Sequence, residues 1–137
     1  MHVFTYGSLM FDPVWSHVVR GRYTSRRGEL DGFRRHALDG VSYPGVVVQP
    51  GARVAGRVYL DVDDADLRRL DDFEGSQYRR ILVDVDTTTH DGAIERLSAG
   101  LYLFLPAERL LDRDWDPQRF EREDIAAFLA RHGAGAD

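Results

Sequence analysis

The 137-residue sequence has no cysteine, no lysine and no asparagine. Without cysteine, the chain can form no disulfide, no thiolate site for zinc and no cysteine nucleophile. Without lysine, all 18 basic residues are arginine, which excludes Schiff-base chemistry and the lysine of a phosphate-binding loop. Without asparagine there is no acceptor for N-glycosylation. These absences narrow the chemistry available to the chain before any motif is considered.

Long apolar runs and basic stripes are also lacking. No stretch approaches the ~20 apolar residues of a membrane span, and the N-terminus has neither the basic start nor the cleavage site of a signal peptide. The formal net charge is −5, and the arginines are interleaved with acids rather than gathered in one stripe. We therefore expect a cytoplasmic protein with no nucleic-acid partner and no membrane partner. Nothing in the sequence decides its oligomeric state.

Length and periodicity predict one domain over residues 1–133, followed by a frayed tail at 134–137. Strands are predicted where apolar residues alternate and helices where they recur at three or four. The predicted strands are 2–6, two pieces within 26–39, 43–51, 53–62, 78–88 and 95–106, the last covered on both faces; the helices are 12–20, 63–75 and 122–133. This pattern favours an α+β fold, a small mixed and mostly antiparallel β-barrel with peripheral short helices.

The acid-rich stretch DVDDADLRRLDD suggests a calcium site. A calcium-binding EF-hand loop needs glycine at its sixth position and glutamate at its twelfth, and counting from Asp61 these places hold Asp66 and Asp72. The five histidines show no paired spacing on one helix face. We therefore expect no metal and no other cofactor, and we interpret the acidic stretch as a capped helix with a solvated face.

A serine nucleophile is the second candidate chemistry. Ser8 follows a predicted strand, as the nucleophile of many hydrolases does, with His36 as the candidate base. The surrounding residues read Tyr-Gly-Ser-Leu-Met, however, and not the Gly-x-Ser-x-Gly of a nucleophile elbow. A simple turn at Gly7 and Ser8 and a pocket floor built from exposed backbone amides remain alternative interpretations.

Glu74 is the third candidate. It stands where the predicted helix 63–75 ends, between Phe73 and Gly75 and shortly before Tyr78. In a partly apolar cleft the pKa of this carboxyl group would rise toward neutrality, and the group would carry protons. The alternative is an ordinary surface glutamate near a helix end. Asp71, three residues earlier, is expected to point to water.

Several motifs together resemble the γ-glutamylcyclotransferase-like superfamily, in particular its γ-glutamylamine cyclotransferase and plant avirulence-induced-protein-like branch. The resemblance extends from about residue 2 to residue 105. Its motifs are Y-G-S-L at 6–9, Y-P-G-V-V at 43–47, V-x-G-x-V-Y at 54–59, D-x-F-E-G-x-x-Y-x-R at 71–80 and A-x-L-Y at 99–102.

The resemblance implies an enzyme that converts a γ-glutamyl amine or γ-glutamyl amino acid into 5-oxoproline and the free amine. In it, Glu74 matches the catalytic acid/base and Tyr78 an aromatic residue near that group. The loop whose backbone amides hold the glutamyl end and the reacting oxygen is matched by Tyr6, Gly7, Ser8 and Leu9. The expected partner is therefore a small γ-glutamyl substrate.

Two alternatives remain open beside this reading. One fold hosts several functions, so the chain is either such an enzyme or a module that binds a small molecule without turning it over. A hydrolase of a related γ-acyl bond is the second alternative. The leaving amine is not specified by the sequence, and Arg34, Arg35, Arg79 and Tyr43 are candidate pocket neighbours that the sequence does not place.

Overall fold

The computed structural model describes residues 1–132, with the backbone alone at His132. Five strands form a closed barrel: β1 (His2–Thr5), β2 (Ser25–Ala37), β3 (Pro44–Tyr59), β4 (Tyr78–Thr88) and β5 (Ile94–Phe104). The helices around it are α1 (Asp12–Val18), α2 (Asp64–Glu74), α3 (Pro117–Arg119) and α4 (Ile125–His132), with 3-10 turns at Ser8–Met10 and Ala107–Arg109 and a π-helical turn at Phe120–Asp124. The predicted α+β class is confirmed. The predicted tail at 134–137 lies outside the described residues.

The strands follow one another around the barrel in the order β1-β3-β2-β4-β5. The first and last strands close it in parallel, with His2 beside Ala99 and Val3 beside Gly100. The other neighbouring pairs run antiparallel. The barrel is therefore mixed and mostly antiparallel, as predicted.

Two long strands replace the four shorter ones that turn residues had predicted. Gly32 has φ 84°, and the register of β2 against β3 shifts between Asp31 and Phe33. A bulge of this kind bends a strand and lets the hydrogen-bond ladder continue beyond it. The same holds for β3, which runs through Gly51 at φ 86°. The predicted breaks in 26–39 and between 51 and 53 are therefore wrong.

Apolar side chains form two cores, one inside the barrel and one between the barrel and the helices. Neighbouring residues of β1 separate into the two, Phe4 into the barrel and Val3 into the outer core, because successive side chains of a strand point to opposite faces. Tyr59 of β3 also faces outward and stacks on Trp15 of α1, with ring centroids 3.6 Å apart. Strand β1, which leads into the Y-G-S-L motif, is thus buried on both faces.

The predicted strand 95–106 was expected to be buried on both of its faces, but only the second half of β5 is. From Ala99 to Tyr102 every residue is buried, whereas Ile94 is 78% exposed. The first half pairs with the end of β4, where the exposed Thr88 lies beside Ile94. The prediction is therefore wrong for the first half of this strand.

Helix α2 carries the D-x-F-E-G motif to the barrel. It begins after Asp63, whose side chain accepts a hydrogen bond from the amide of Asp66 at 2.8 Å. Its apolar side packs into the outer core through Leu67 and Leu70. The helix ends at Gly75, where φ is 78°, a left-handed conformation that glycine adopts at little cost.

The remaining helices differ in detail from the predictions. Helix α1 begins at Asp12 without a side-chain cap, and α4 begins at Ile125 after the π-helical turn rather than at residue 122. Within residues 1–132, no helix combines the length and the apolar character that crossing a membrane requires.

Candidate active site

A cavity of about 90 Å³ opens beside the end of β1. The residues that the sequence analysis selected all line it: Tyr6, Gly7, Ser8, Leu9, Glu74 and Tyr78. They come from two segments more than sixty residues apart, so the barrel and α2 together create the site. The structure therefore brings together every residue of the predicted site.

The Tyr6–Leu9 segment leaves β1 and turns at once into the 3-10 turn Ser8–Met10. The carbonyls of Gly7 and Ser8 accept from the amides of Met10 and Phe11, at 3.0 and 3.2 Å. The first N–H groups of a helical turn have no partner within that turn, and the residues that carry them line the cavity. The strand ends abruptly because the chain passes directly into this turn.

Gly7 has a packing role that the sequence did not reveal. A Cβ atom at this position would lie 2.8 Å from Cγ and 2.9 Å from Cδ of Pro44. The lack of a side chain therefore lets β1 and β3 close together at the cavity. The carbonyl of Pro44 in turn accepts a hydrogen bond from the Tyr78 hydroxyl at 2.8 Å, so one proline connects the two segments of the site.

Arg35 of β2 also contacts this segment. Its Nη1 donates to the carbonyl of Tyr6 at 3.0 Å, and its guanidinium lies 5.3 Å from the ring centroid of Trp115. Burial lowers the pKa of Arg35. Of the other arginines left unplaced, Arg34 pairs with Asp112 at 3.0 Å and Arg79 is exposed. Neither lines the cavity.

The Glu74 carboxyl group is the acid of the cavity. Glu74 is the last residue of α2 and is half-buried. Burial, assisted by the negative charge of Asp71, raises the pKa of Glu74 from 4.5 to about 8. Removal from water disfavours the charged form, and a like charge one turn away adds to the effect. The group therefore exchanges protons close to neutral pH.

Asp71 was expected to point to water, and its side chain is 38% exposed, but it is also held by two neighbours that the sequence did not predict. Its carboxylate accepts from Nε of Arg80 at 2.9 Å and from the Tyr102 hydroxyl at 2.6 Å. Burial by itself raises the pKa of Asp71, but these two hydrogen bonds outweigh it and hold the pKa below its ordinary value. Asp71 therefore stays ionised beside Glu74. The sequence did not predict these contacts because Arg80 and Tyr102 lie on other strands.

The tyrosine hydroxyls at the cavity are engaged with the protein. Tyr6 donates to the carbonyl of Tyr102 at 2.6 Å, Tyr102 donates to Asp71, and Tyr78 donates to Pro44. Burial raises the pKa of Tyr6, Tyr78 and Tyr102 above the ordinary value. These phenols stay protonated, so they shape the walls and fix the segments that carry them.

Sequence reasoning missed an aromatic wall and one amide. Phe73 and Phe128 also line the cavity, as does Gln77. Tyr43, a candidate pocket neighbour that the sequence did not place, lines it too. The amphipathic pattern of 122–133 indicated a buried face for Phe128 but not what it would contact. Phe73, next to Glu74, was recognised only as an apolar neighbour.

The two residues of the serine–histidine alternative do not come together. Ser8 lines the cavity, but His36 is not among the lining residues, and its Nδ1 lies 2.8 Å from the carbonyl oxygen of Leu111. The acidic stretch also has a structural explanation, because Asp66 is buried among hydrogen-bond donors rather than solvated as expected. Across residues 1–132, no three histidine, aspartate or glutamate side chains come together as a metal site.

Comparison with known proteins places this geometry in a family. The sequence model of the family described as "Gamma-glutamyl cyclotransferase, AIG2-like" matches residues 3–118. The chain is similar to AIG2-like protein D of Arabidopsis thaliana, with 31% identity over 134 residues that cover 94% of this chain and 85% of the relative. This chain belongs to the γ-glutamyl cyclotransferase, AIG2-like family.

Solved structures support the same assignment. An AIG2-like protein from Mus musculus superposes with a TM-score of 0.67 at 26% identity, over 84% of this chain and 86% of that one. A protein titled γ-glutamyl cyclotransferase superposes with a TM-score of 0.61 at 17% identity, over 97% and 80%. The second likeness extends to the fold alone.

Proposed function

We propose that this protein is a γ-glutamyl cyclotransferase that closes the glutamyl end of a γ-glutamyl amine or amino acid into 5-oxoproline and releases the amine. The observation that carries the proposal is the position of Glu74, a proton-exchanging carboxyl group that lines one cavity together with the residues of the Gly7–Leu9 turn. Family membership supports an activity of this type. The reaction needs no cofactor.

The nucleophile in this reaction is the substrate's own α-amino group. Glu74, as carboxylate, takes a proton from the α-ammonium, and the freed lone pair attacks the γ-carbonyl carbon to close a five-membered ring. The bond from that carbon to the departing nitrogen then breaks, and Glu74 returns a proton to this nitrogen. In total the α-nitrogen gives up two protons, and the amine released as an ammonium ion gains two.

An intramolecular attack asks the protein mainly for positioning. Well-oriented intramolecular reactions gain ~7–11 kcal/mol over their bimolecular counterparts. The negative charge that develops on the γ-carbonyl oxygen is stabilised by the amides of the Gly7–Leu9 turn, and one such donor contributes typically ~3 kcal/mol. Because the substrate supplies its own nucleophile, this chemistry agrees with a chain that has no cysteine and no assembled serine–histidine pair.

The acid/base role of Glu74 agrees with its surroundings. A general base works best when its pKa lies near the operating pH, and an exposed glutamate is too weak a base at neutral pH. Burial together with Asp71 brings the pKa of Glu74 to about 8. Near neutral pH, Glu74 is then available both as the carboxylate that accepts a proton and as the acid that donates one.

The test is an incubation of the purified protein with γ-glutamyl amines and γ-glutamyl amino acids, with 5-oxoproline measured by mass spectrometry. We expect Glu74→Gln to fold, to bind the substrate and to lose ~10²–10⁴-fold in kcat/KM. Asp72→Asn, an exposed residue two positions earlier on α2, is the matched control and should retain the wild-type rate.

Each alternative predicts a different outcome of this experiment. Free glutamate in place of 5-oxoproline would identify a hydrolase, because water rather than the α-amine would have attacked. Ligand-induced stabilisation without any product would identify a binding module. Activity of Glu74→Gln equal to that of the wild type would remove Glu74 from the mechanism.

Three statements remain expectations: a cytoplasmic location, a single domain over 1–133, and the absence of nucleic-acid and membrane partners.

A further inference from the structure

Arg35 is a half-buried arginine that is incompletely hydrogen-bonded. Its Nε is buried and has no hydrogen-bond partner among residues 1–132. Burial lowers the pKa of its guanidinium, and the attraction of Asp114 and Asp116 offsets this only in part. A buried donor without an acceptor is rare in folded proteins and requires an explanation. The explanation lies in the contacts of the other guanidinium atoms.

The guanidinium of Arg35 holds one backbone carbonyl group. Its Nη1 donates to the carbonyl oxygen of Tyr6 at 3.0 Å and lies 3.5 Å from that of Ala55 on β3. Its central carbon lies 5.3 Å from the ring centroid of Trp115, and the Trp115 indole is itself fixed, because its Nε1 donates to the carbonyl of Ser42 at 2.6 Å. A planar cation with these contacts has little freedom to move away from Tyr6.

Arg35 does not itself reach the cavity. Among the described residues, those that line the cavity include Tyr6 and Gly7 but not Arg35. Arg35 lines a separate groove, together with Met10 and Pro117. It therefore contacts the Tyr6–Gly7 peptide unit without occupying space in which a substrate would bind.

The geometry of the peptide bond converts this contact into a constraint on Gly7. In a trans peptide unit the atoms are coplanar, and the carbonyl oxygen and the following N–H point in opposite directions. Because the Tyr6 oxygen accepts from Arg35, the N–H of Gly7 is directed away from Arg35. A charged donor at the oxygen also polarises the peptide group, which makes the N–H a stronger donor.

We propose that Arg35 is a positioning residue of the active site, which holds the Tyr6 carbonyl so that the N–H of Gly7 is directed into the cavity as an oxyanion donor. This inference rests on the proposed function, in which negative charge develops on the γ-carbonyl oxygen of the substrate. Arg35 touches neither the substrate nor the reacting atoms. It strengthens a donor that matters most in the transition state, so it raises kcat and has little effect on KM.

Kinetics of matched variants at two adjacent arginines test the inference, with 5-oxoproline as the measured product. Arg35→Met keeps an apolar stem but removes the donors. We expect it to lower kcat by ~10–100-fold, with KM within about threefold of the wild type. Arg35→Lys keeps the charge and one donor group, so it should retain more of kcat than Arg35→Met.

The control is Arg34→Met on the same strand, which loses the ion pair with Asp112 and should keep the wild-type kcat. A kcat of Arg35→Met equal to the wild-type value, or a loss confined to KM, would overturn the inference. If Arg35→Met does not fold, Arg35→Lys decides. A kcat below that of the wild type at unchanged KM would then support the inference, and an equal kcat would overturn it.

A second measurement reports on the peptide unit directly and needs no turnover. Tyr6–Gly7 is the only Tyr–Gly pair in the sequence. Protein labelled with carbonyl-¹³C tyrosine and ¹⁵N glycine therefore gives one signal in a carbonyl–amide correlation NMR spectrum. Loss of the hydrogen bond at the Tyr6 carbonyl moves its ¹³C resonance and the ¹⁵N resonance of Gly7 upfield. We expect both shifts in Arg35→Met and neither in Arg34→Met, and an unmoved signal in a folded Arg35→Met protein would overturn the inference.

The two measurements separate this inference from the proposed function. If the signal moves in Arg35→Met but no protein forms 5-oxoproline, the hold of Arg35 on the peptide unit stands and the cyclotransferase proposal fails. If Arg35→Met forms 5-oxoproline with the wild-type kcat, the cyclotransferase proposal stands and the inference fails. If the signal does not move and no 5-oxoproline forms, both are overturned.

Discussion

Helix α2 carries two carboxyl groups that are removed from water with opposite results. Asp66, in its first turn, is 1% exposed, and Glu74, at its last residue, is half-buried. Burial by itself raises the pKa of either group. For Asp66, hydrogen bonds from Tyr23, from two backbone amides and from Arg69 outweigh burial and lower the pKa to about 2. For Glu74, nothing compensates, and the pKa rises to about 8.

The difference lies in what surrounds each group. The Tyr23 hydroxyl lies 2.6 Å from Asp66 Oδ2, the amide of Gly21 lies 2.8 Å from the same atom, and Nη1 of Arg69 lies 2.6 Å from Oδ1. A carboxylate with this many donors holds its charge and ties α2 to the segment before β2. Glu74 instead faces a cavity with Asp71 nearby. Asp66, buried with several hydrogen-bond donors, keeps its charge and stabilises the fold. Glu74, buried without such donors, gains and loses a proton near neutral pH.

The largest effect is expected from removing the charge of Asp66. Asp66→Asn places an amide group against donors that need an acceptor, so we expect the free energy of unfolding to fall by about 3–5 kcal/mol. Urea denaturation measures the loss, with the exposed Asp72→Asn as control within about 0.5 kcal/mol of the wild type. Equal stability of the two variants would show that the donors around Asp66 are satisfied without its charge.

The second prediction concerns the pH dependence of catalysis. Glu74 must be ionised to accept the first proton, and the pKa of this group lies at about 8. We therefore expect kcat/KM to rise with pH and to level off above pH 8, so that two pH units below the pKa the rate is ~100-fold lower. Initial rates across this range measure it, with Asp72→Asn sharing the profile. A level profile from pH 6 to pH 8 would contradict the assignment of the base.

The third prediction concerns stability and has a definite sign. The pKa of Glu74 is 4.5 unfolded and about 8 folded, so between these values the folded state binds the extra proton. The contribution of Glu74 to stability should therefore be full below pH 4.5 and fall as pH rises toward 8, by up to about 1.4 kcal/mol per unit. Glu74→Gln should lose this slope and exceed the wild type most at pH 8, in urea denaturation at several pH values. Parallel stability curves for the two proteins would refute it.

The smallest effect is expected from substituting Asp71, whose negative charge helps to raise the pKa of Glu74. Asp71→Asn removes a negative charge beside Glu74 and leaves Arg80 without its carboxylate, and both changes favour the ionised form of Glu74. The midpoint of the pH–rate profile should therefore move to lower pH, by about one unit or less. Arg80→Gln, which leaves Asp71 charged and unpaired, should move it to higher pH. Shifts in the same direction for both variants would rule out an electrostatic coupling.

The sequence by itself determined some of the elements and the two halves of the site. Periodicity predicted β4 with its observed bounds and α2 within one residue at each end, because local alternation and capping are properties of short segments. The motifs that contain Tyr6–Leu9 and Glu74–Tyr78 were both selected, and the structure places them at one cavity.

Only the tertiary structure decided which polar groups are buried and with what. Asp66 and Asp71 were expected on a solvated face, but their donors Tyr23, Arg80 and Tyr102 come from other parts of the chain. The contact of Phe128 with the cavity depends on how α4 packs back on the barrel. A carboxyl group's pKa and a cavity's walls are set by atoms that are distant in sequence and close in space, and no local pattern records those distances.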